Sequence, residues 1–244
     1  MKPFNLTNPQ SDKKLMKKTI SKLSDMKNIK YWIFDLDNTL YPYQADLFSQ
    51  VDKKMGLFIQ EMFNVSFEEA RRRQKSFFKT YGTTLRGLMT EHGIQPYDYL
   101  KFVHDIDFSV LEIDETLVVA LDRLPGEKFI YTNASTDYAK VVLSHIGLSG
   151  KFKDIFDIHD ANFLPKPDIR SYHKMIDKFS IDPKASVMVE DIAGNLNPAA
   201  ELGMTTVWLP SDDQRSDNDR THKNIDYITE SLPQWLTRVL SELD

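Results

Sequence analysis

The sequence predicts an α/β protein built on a doubly wound parallel sheet with an inserted helical unit. Short β-branched and aromatic runs alternate with helical segments over the second half of the chain, and this alternation is typical of parallel strands joined by helical crossovers. An earlier apolar run, Tyr31 to Phe34, has the character of a buried strand and ends in acidic residues. Between these parts lies a long stretch with helical spacing and little strand character.

Local patterns define the elements of the predicted core. Pro125 and Gly126 interrupt the chain before its second strand, and β-branched residues mark the later strands. The polar stretch 211–224 predicts a loop before the last strand. We predict strands at 31–34, 128–131, 155–158, 186–189, 205–209 and 225–228, and helices at 138–145, 171–179, 197–202 and from about 232.

Charge and apolar spacing divide the chain further. The first thirty residues carry eight Lys against two Asp, a net charge of +6. Their apolar spacing is compatible with a short helix at 15–26, but a solvated tail is the more common outcome for such a segment. Apolar side chains recur at helical spacing from Leu47 to Phe58 and again across 67–78. We therefore assign residues 1–30 to a basic N-terminal extension, 31–44 and 116–244 to the α/β core, and 45–115 to a helical cap.

Composition limits the class of protein. The chain has 244 residues and 41% hydrophobic content, enough for an α/β core and a smaller accessory unit. Its net charge of −5 argues against a nucleic-acid binder. No run of apolar residues approaches the length of a membrane span. Because the chain contains no Cys, it forms no disulfides, and we expect a cytoplasmic protein.

The most informative motif places two carboxylates directly after the first predicted strand. A buried strand delivers Asp35 rigidly at its carboxyl end, the usual location of ligand sites in open α/β sheets. There a carboxylate can act as a nucleophile. Asp37, two residues further along the turning chain, can face the same pocket and transfer a proton to a departing oxygen.

Further polar residues follow the later strands. Thr132 and Asn133 can donate hydrogen bonds to phosphate oxygens, although the same pair is also a good turn and helix start. Lys166, held between two prolines, can neutralise a phosphate. Glu190 and Asp191 carry hard oxygen ligands that suit Mg²⁺. Alternatively, they form an acidic helix start, which the helix dipole favours.

The order of these motifs resembles the haloacid dehalogenase-like (HAD) superfamily, whose four motifs match this chain from residue 31 to about 210. The resemblance implies that Asp35 is the nucleophile of a phosphoryl transfer and that Asp37 is the general acid, which later acts as a base on water. It also implies that Thr132 and Lys166 hold the phosphoryl group. Dehalogenases typically lack an Asp at the second position, so Asp37 favours a phosphatase or phosphomutase.

The same resemblance implies a Mg²⁺ site. Its ligands would be the Asp35 carboxylate, the backbone carbonyl of Asp37 and the Asp191 carboxylate, with Glu190 either a direct ligand or a support for one. Asn195 stands where many relatives carry Asp. An amide at this position differs in charge from the family's carboxylate, so the resemblance does not establish that Asn195 supports the metal ligands.

A second, narrower resemblance concerns the helical insert. Tyr41-Pro42 and the segment Tyr81 to Leu88 look like the pyrimidine 5′-nucleotidase branch of the superfamily. This resemblance implies that Tyr81 and Arg86 bind the substrate. Arg86 could reach a phosphate or a base edge; alternatively, it pairs with a neighbouring Glu in a loop between helices.

We therefore expect a Mg²⁺-dependent phosphomonoester hydrolase, with a pyrimidine nucleoside 5′-monophosphate such as UMP or CMP as substrate. One rival is a phosphatase for small sugar phosphates or a β-phosphoglucomutase-like mutase. A rival from another class is a regulatory protein that binds phosphate without turnover. The intact set of Asp35, Asp37, Lys166 and Asp191 argues against this last possibility.

Overall fold

The computed structural model describes residues 23–211 and 222–243. Within them the chain forms the predicted α/β fold. The strands are β1 (Tyr31–Phe34), β2 (Glu127–Tyr131), β3 (Asp154–Phe156), β4 (Ser186–Glu190), β5 (Thr205–Trp208) and β6 (Tyr227–Ile228). The α-helices are α1 (Leu47–Phe63), α2 (Phe67–Tyr81), α3 (Thr84–His92), α4 (Pro96–Val103), α5 (Glu115–Arg123), α6 (Thr136–His145), α7 (Ile169–Phe179), α8 (Leu196–Glu201) and α9 (Leu232–Leu243).

The six strands form one parallel sheet in the order β3-β2-β1-β4-β5-β6. The order runs outward from β1 in both directions, so the sheet is doubly wound, as predicted. β1 lies between β2 and β4, with Phe34 in register with Ile130 on one side and Val189 on the other. The carboxyl ends of these three strands therefore meet at one edge of the sheet.

Alternate residues of β1 face opposite sides of the sheet, because successive strand side chains point to opposite faces. Trp32 and Phe34 belong to the larger apolar core, which includes Trp235 of α9, whereas Ile33 packs in a second core with Tyr172 and Met175 of α7. Both faces are covered by helices. This double coverage explains why the strands are continuous apolar runs rather than alternating ones.

Three predicted strands are shorter in the structure, because β3, β5 and β6 end or begin inside the predicted ranges. β3 ends before Asp157, whose backbone N–H donates to a carboxylate oxygen of Asp160 at 3.2 Å. β6 begins only after Asp226, whose carboxylate accepts from the backbone N–H of Thr206 at 3.2 Å. At these two ends a side chain competes with the strand ladder for a backbone group.

Helices α1 to α4 form the helical unit between β1 and the rest of the sheet. Gly56 of α1 permits the close approach of α2, because a Cβ atom there would lie 3.1 Å from Cδ of Arg71. The side chain of Thr83 accepts a hydrogen bond from the backbone N–H of Arg86 and so caps α3.

Two sequence predictions fall largely outside the described residues. Most of the helix expected at 15–26 lies there, and the described part of that region, Leu23–Asn28, is a short 3₁₀ helix whose Met26 is buried in the core. Most of the loop expected at 211–224 also lies there. Among the helices of residues 23–211 and 222–243, none is long and apolar enough to cross a bilayer.

Candidate active site

The predicted site residues converge where β1, β2 and β4 end. Asp35 follows β1, Thr132 follows β2, and Glu190 closes β4 with Asp191 directly after it. All four are buried, with at most 6% of any residue exposed. Neighbouring parallel strands carry residues that are far apart in sequence to one point, so the sheet order itself assembles this group.

Lys166 lies at the centre of the group. Its Nζ donates to Oδ1 of Asp35 at 2.5 Å, to Oε1 of Glu190 at 2.8 Å and to the backbone carbonyl of Tyr131 at 3.0 Å. The backbone N–H of Lys166 donates to Oδ1 of Asn133 at 2.8 Å. Asn133 therefore holds the loop that carries Lys166, in addition to lining the site.

Burial and charge act in opposite directions on these groups. Burial would lower the pKa of Lys166, but the carboxylates of Asp35 and Glu190 raise it above its usual range. Burial raises the pKa of Asp35 to about 7, against the opposing effect of Lys166. Although burial would raise the pKa of Glu190, Lys166 and neighbouring donors lower it. Glu190 is therefore the ionised partner of Lys166. The charged form of Asp35 is disfavoured, because the cluster already has excess negative charge.

Asp35, Glu190 and Asp191 could hold a metal ion, because each offers a carboxylate oxygen within 4.8 Å of the others. Lys166 compensates only one of these three charges, which favours a cation there. The oxygens of Glu190 already accept from Lys166, from Nδ2 of Asn195 at 2.6 Å and from the backbone N–H of Ile192 at 2.6 Å. Asp35 and Asp191 are therefore the better placed ligands, and Asn195 orients Glu190.

Asp37 lies in a different environment. Its Oδ1 accepts hydrogen bonds from the hydroxyl of Tyr41 at 2.5 Å and from the hydroxyl of Tyr138 at 2.7 Å. The ring of Tyr138 stacks on His104, which ends α4, with 4.2 Å between ring centroids. Burial lowers the pKa of His104 to about 4, so this imidazole is neutral at physiological pH. The second carboxylate is thus held by polar donors, whereas Asp35 is paired with a buried cation.

Three smaller contacts complete the catalytic end. The hydroxyl of Thr39 donates to Oδ2 of Asp35 at 3.1 Å. Nδ2 of Asn38 lies 3.5 Å from Oδ2 of Asp191, and the buried Oδ1 of Asn38 has no hydrogen-bond partner in the described part of the chain. The Thr132 hydroxyl accepts from the backbone N–H of Ala134 at 3.0 Å. Asn38 therefore offers an unused acceptor beside the acidic cluster.

A cavity of about 650 Å³ connects this group with the helical unit. At the catalytic end it is lined by the predicted residues Asp35, Asp37, Thr132, Asn133, Lys166, Glu190, Asp191 and Asn195. Its far end is formed by the helical unit, and the polar lining there includes Asp52, Arg71, Gln74, Thr84 and Tyr99. Apolar side chains of the same unit, among them Phe48, Met55, Phe78, Leu85 and Leu100, also line the cavity.

Tyr81 and Arg86, the substrate-binding residues expected in the insert, have other partners. The Tyr81 hydroxyl donates to Oε1 of Glu91 at 2.8 Å. The guanidinium of Arg86 donates to the backbone carbonyl of Phe163 at 3.3 Å. Among the described residues that line the cavity, this segment contributes Thr83, Thr84 and Leu85. The segment therefore contacts the loop leading to Lys166 and presents threonines, rather than Arg86, to the cavity.

Tyr138 and Tyr99 also line the cavity, although neither belongs to a sequence motif. Tyr138 lies in a helix 101 positions beyond Asp37, and nothing in its local pattern distinguishes it from a core aromatic residue. Tyr99 has the spacing of a buried helix position and is 1% exposed. One signal could have identified them. A Tyr on the buried face of a helix needs a hydrogen-bond partner for its hydroxyl, and such a residue is therefore a candidate for a polar site.

Comparisons with known proteins agree with this geometry. A family model described as haloacid dehalogenase-like hydrolase matches residues 29–203. Phosphate metabolism protein 8 of Saccharomyces cerevisiae is 24% identical over 217 residues, which cover 80% of this chain and 67% of that protein. Enolase-phosphatase E1 of Shewanella frigidimarina is 27% identical over 129 residues, which cover 52% of this chain and 53% of that protein. The matched region thus spans about half to two thirds of each of these relatives.

Among solved structures, a HAD phosphatase from Thermococcus onnurineus superposes with a TM-score of 0.59. The two chains are 20% identical, and the superposition covers 88% of this chain and 99% of that one. At this identity the likeness concerns the fold. It extends over the sheet and the helical unit together, since both are needed to reach that coverage.

Proposed function

Because the chain belongs to the haloacid dehalogenase-like hydrolase family, we propose that it is a phosphomonoester hydrolase that acts through an aspartyl-phosphate intermediate. One observation carries this proposal: two carboxylates with opposite surroundings line the same cavity. Asp35 is buried against Lys166, and Asp37 is held by two tyrosine hydroxyls. Two acids in different environments can divide the roles of nucleophile and proton carrier.

In the first step an Asp35 carboxylate oxygen attacks the phosphorus atom of the substrate. A new bond forms between Asp35 and phosphorus, and the ester bond between phosphorus and the leaving oxygen breaks. Asp37 delivers its proton to that leaving oxygen, which departs as an alcohol. Lys166 and the Thr132 hydroxyl lie at this end of the cavity, where they can hold phosphoryl oxygens.

The second step regenerates the enzyme. A water molecule attacks phosphorus and gives a proton to the Asp37 carboxylate, while the bond between Asp35 and phosphorus breaks. Inorganic phosphate leaves, and Asp35 is again a carboxylate. The hydroxyls of Tyr41 and Tyr138 both donate to Oδ1 of Asp37 and so fix the carboxyl group beside the cavity. Asp37 is therefore positioned to give a proton in the first step and to take one back from water in the second.

The residues present also suit Mg²⁺. The Asp35 and Asp191 carboxylates and the unpartnered Oδ1 of Asn38 are hard oxygen donors around a site with excess negative charge. We assign Asp35, Asp191 and the Asp37 backbone carbonyl as ligands, with Glu190 and Asn195 supporting them. When bound, Mg²⁺ neutralises phosphate charge that would otherwise repel the carboxylate nucleophile.

We further propose that the substrate is a nucleoside monophosphate, with UMP and CMP as the preferred examples. The cavity is lined by the charged residues at the strand ends, by apolar side chains and by a second set of polar groups from the helical unit. A nucleotide has matching parts: a phosphate, apolar ring faces and a polar base edge. A small sugar phosphate carries hydroxyls in every direction and fits an apolar wall less well.

A panel of phosphomonoesters assayed for phosphate release tests both levels of the proposal. It should contain UMP, CMP, GMP, a hexose phosphate, β-glucose 1-phosphate and acetyl phosphate, with Mg²⁺ and with chelator. We expect Mg²⁺-dependent turnover, with the highest kcat/KM for a pyrimidine nucleotide. A preference for hexose phosphates would contradict the proposal that the substrate is a nucleotide. If no compound of the panel is hydrolysed, the proposed hydrolase activity is wrong.

A further inference from the structure

The far end of the cavity contains a polar network that the catalytic motifs do not explain. It consists of Asp52 of α1, Arg71 and Gln74 of α2, and Tyr99 of α4, which we call the insert cluster. All four line the same cavity as Asp35. Three different helices thus bring polar side chains to one point opposite the catalytic residues.

Asp52 is the centre of the insert cluster. Its carboxylate contacts Nη2 of Arg71 at 2.5 Å and accepts from Nε2 of Gln74 at 2.7 Å. Nη1 of Arg71 donates to Oε1 of Gln74 at 2.8 Å. These contacts fix the orientation of all three side chains. Arg71 has five N–H donors and an ionised carboxylate has about four acceptor positions, so the network retains capacity for a ligand.

Tyr99 gives an independent indication of a ligand. Tyr99 is 1% exposed, and its hydroxyl has no hydrogen-bond partner among the described residues. Three buried side-chain polar atoms are unpartnered in that part of the chain, and two of them, on Asn38 and Tyr99, line this cavity. A buried hydroxyl without a partner is unfavourable. A ligand that reaches both ends of the cavity would supply partners to both atoms.

Stability alone does not account for the insert cluster. A partly buried ion pair can be replaced by apolar residues of similar size with little or no loss of stability. Phe48, Met55 and Leu100 line the same cavity as the pair, so apolar side chains are compatible with this part of the helical unit. The polar network is therefore better explained by recognition than by packing.

We propose that the insert cluster binds the part of the substrate that lies beyond the phosphate, and that this part is a planar heterocycle with N–H donors and carbonyl acceptors on one edge. This inference rests on the proposed hydrolase function and deepens it. Asp52 would accept from a ring N–H or an exocyclic amino group, and Arg71 would donate to a ring carbonyl. The Tyr99 hydroxyl would hydrogen bond to the same edge, while the apolar wall covers the ring faces.

The proposal reassigns the specificity of the insert. Arg86 donates to Phe163 in the loop leading to Lys166, whereas Thr83 to Leu85 of the same segment line the cavity. Base recognition then belongs to α1, α2 and α4. Arg86 would instead position the loop that carries the phosphate-binding Lys166.

Tyr99→Phe is the sharpest test, because it removes one oxygen atom and leaves the ring in place. Removing one hydrogen bond to the substrate should lower kcat/KM for UMP roughly 5-fold, mainly through a higher KM. The ratio of kcat/KM for UMP to that for acetyl phosphate should fall accordingly. The melting temperature should stay the same or rise, because the lost hydroxyl has no partner in the protein.

Tyr97→Phe is the matched control, since Tyr97 lies on the same helix with 70% of its surface exposed. This variant should retain the UMP to acetyl phosphate ratio of the wild type. If Tyr99→Phe also retains that ratio, the insert cluster does not bind the substrate. If Tyr99→Phe lowers the melting temperature and leaves the ratio unchanged, the hydroxyl stabilises the fold, and the proposal is likewise overturned.

The same experiment separates the inference from the proposed substrate class. If the wild type prefers a hexose phosphate over UMP, the kinetics of Tyr99→Phe are repeated on that substrate. A drop in its kcat/KM would keep the cluster as a binding site but reject the heterocycle. If UMP is the preferred substrate and Tyr99→Phe hydrolyses it like the wild type, the proposed nucleotidase activity is kept. The proposal that the insert cluster binds the substrate is then wrong.

Discussion

The hydroxyl of Tyr138 donates to Oδ1 of Asp37 over 2.7 Å, although the two residues are 101 positions apart. Tyr41 donates to the same oxygen from only four positions away. The pair holds the proposed proton carrier from two sides. Because Tyr138 also stacks on His104 at the end of α4, the position of Asp37 depends on how the helical unit meets the core.

Replacing Asp37 by Asn should separate the proton carrier from the nucleophile. An alkyl phosphate such as UMP needs a proton on its leaving oxygen, whereas an activated aryl phosphate such as p-nitrophenyl phosphate releases a stable phenoxide. We expect a larger loss of kcat/KM for UMP than for the aryl ester. Single-turnover kinetics should also show slower decay of the phosphorylated enzyme. Equal losses on both substrates would remove Asp37 from the general-acid role.

Tyr138→Phe should weaken the hold on Asp37 while leaving that residue intact. The variant keeps the ring that stacks on His104 but loses the hydroxyl that donates to Asp37. We expect kcat for UMP to fall roughly 10-fold, the effect of one charge-assisted hydrogen bond. The loss should be smaller for an activated aryl phosphate, whose leaving oxygen needs no proton. An unchanged kcat for UMP, with Tyr97→Phe as the comparison, would mean that Tyr138 only packs.

Asp35→Asn should abolish turnover but stabilise the metal-free protein at neutral pH. Burial raises the pKa of Asp35 from 3.8 to about 7, so the protonated folded form is favoured. The wild type should lose stability relative to the variant as pH rises from about 4 to about 7, by an amount on the order of 2 to 4 kcal/mol. Lys166 keeps its partner Glu190 in the variant.

Urea unfolding of both proteins at pH 4.5, 6 and 8 in chelator measures this difference. We expect the two free energies of unfolding to converge at the lowest pH and to remain separated by a constant amount above pH 7. A wild type that is more stable than the variant at pH 8 would contradict the charge balance described for Asp35.

Arg86→Ala should lower the turnover of large and small substrates together. Its guanidinium donates to the carbonyl of Phe163, three residues before Lys166, so the expected effect is on the phosphate-binding loop. Loss of one such contact corresponds to a reduction of roughly 3- to 10-fold. Kinetics with UMP and acetyl phosphate provide the measurement. A loss of turnover for UMP but not for acetyl phosphate would contradict this expectation. It would mean that the Tyr81 to Arg86 segment recognises the base.

The fold class and the convergence of the motif residues follow from the sequence. The strand ends at Asp35, Thr132 and Glu190 are visible as apolar runs that stop at polar residues. A doubly wound parallel sheet brings such ends together whatever the details of packing. Local periodicity and the rule for parallel sheets were therefore sufficient to predict that these residues meet.

Which polar residues outside the motifs face the cavity depends on tertiary packing. Tyr99 and Asp52 look like ordinary helix residues in the sequence, and Tyr138 looks like a core aromatic residue. Glu190 carries the pattern of a metal ligand, yet its oxygens accept from Lys166 and Asn195. These outcomes depend on helix rotation, on crossing geometry and on the reach of side chains between segments far apart in sequence. No local pattern encodes them, because each is a property of two surfaces in contact.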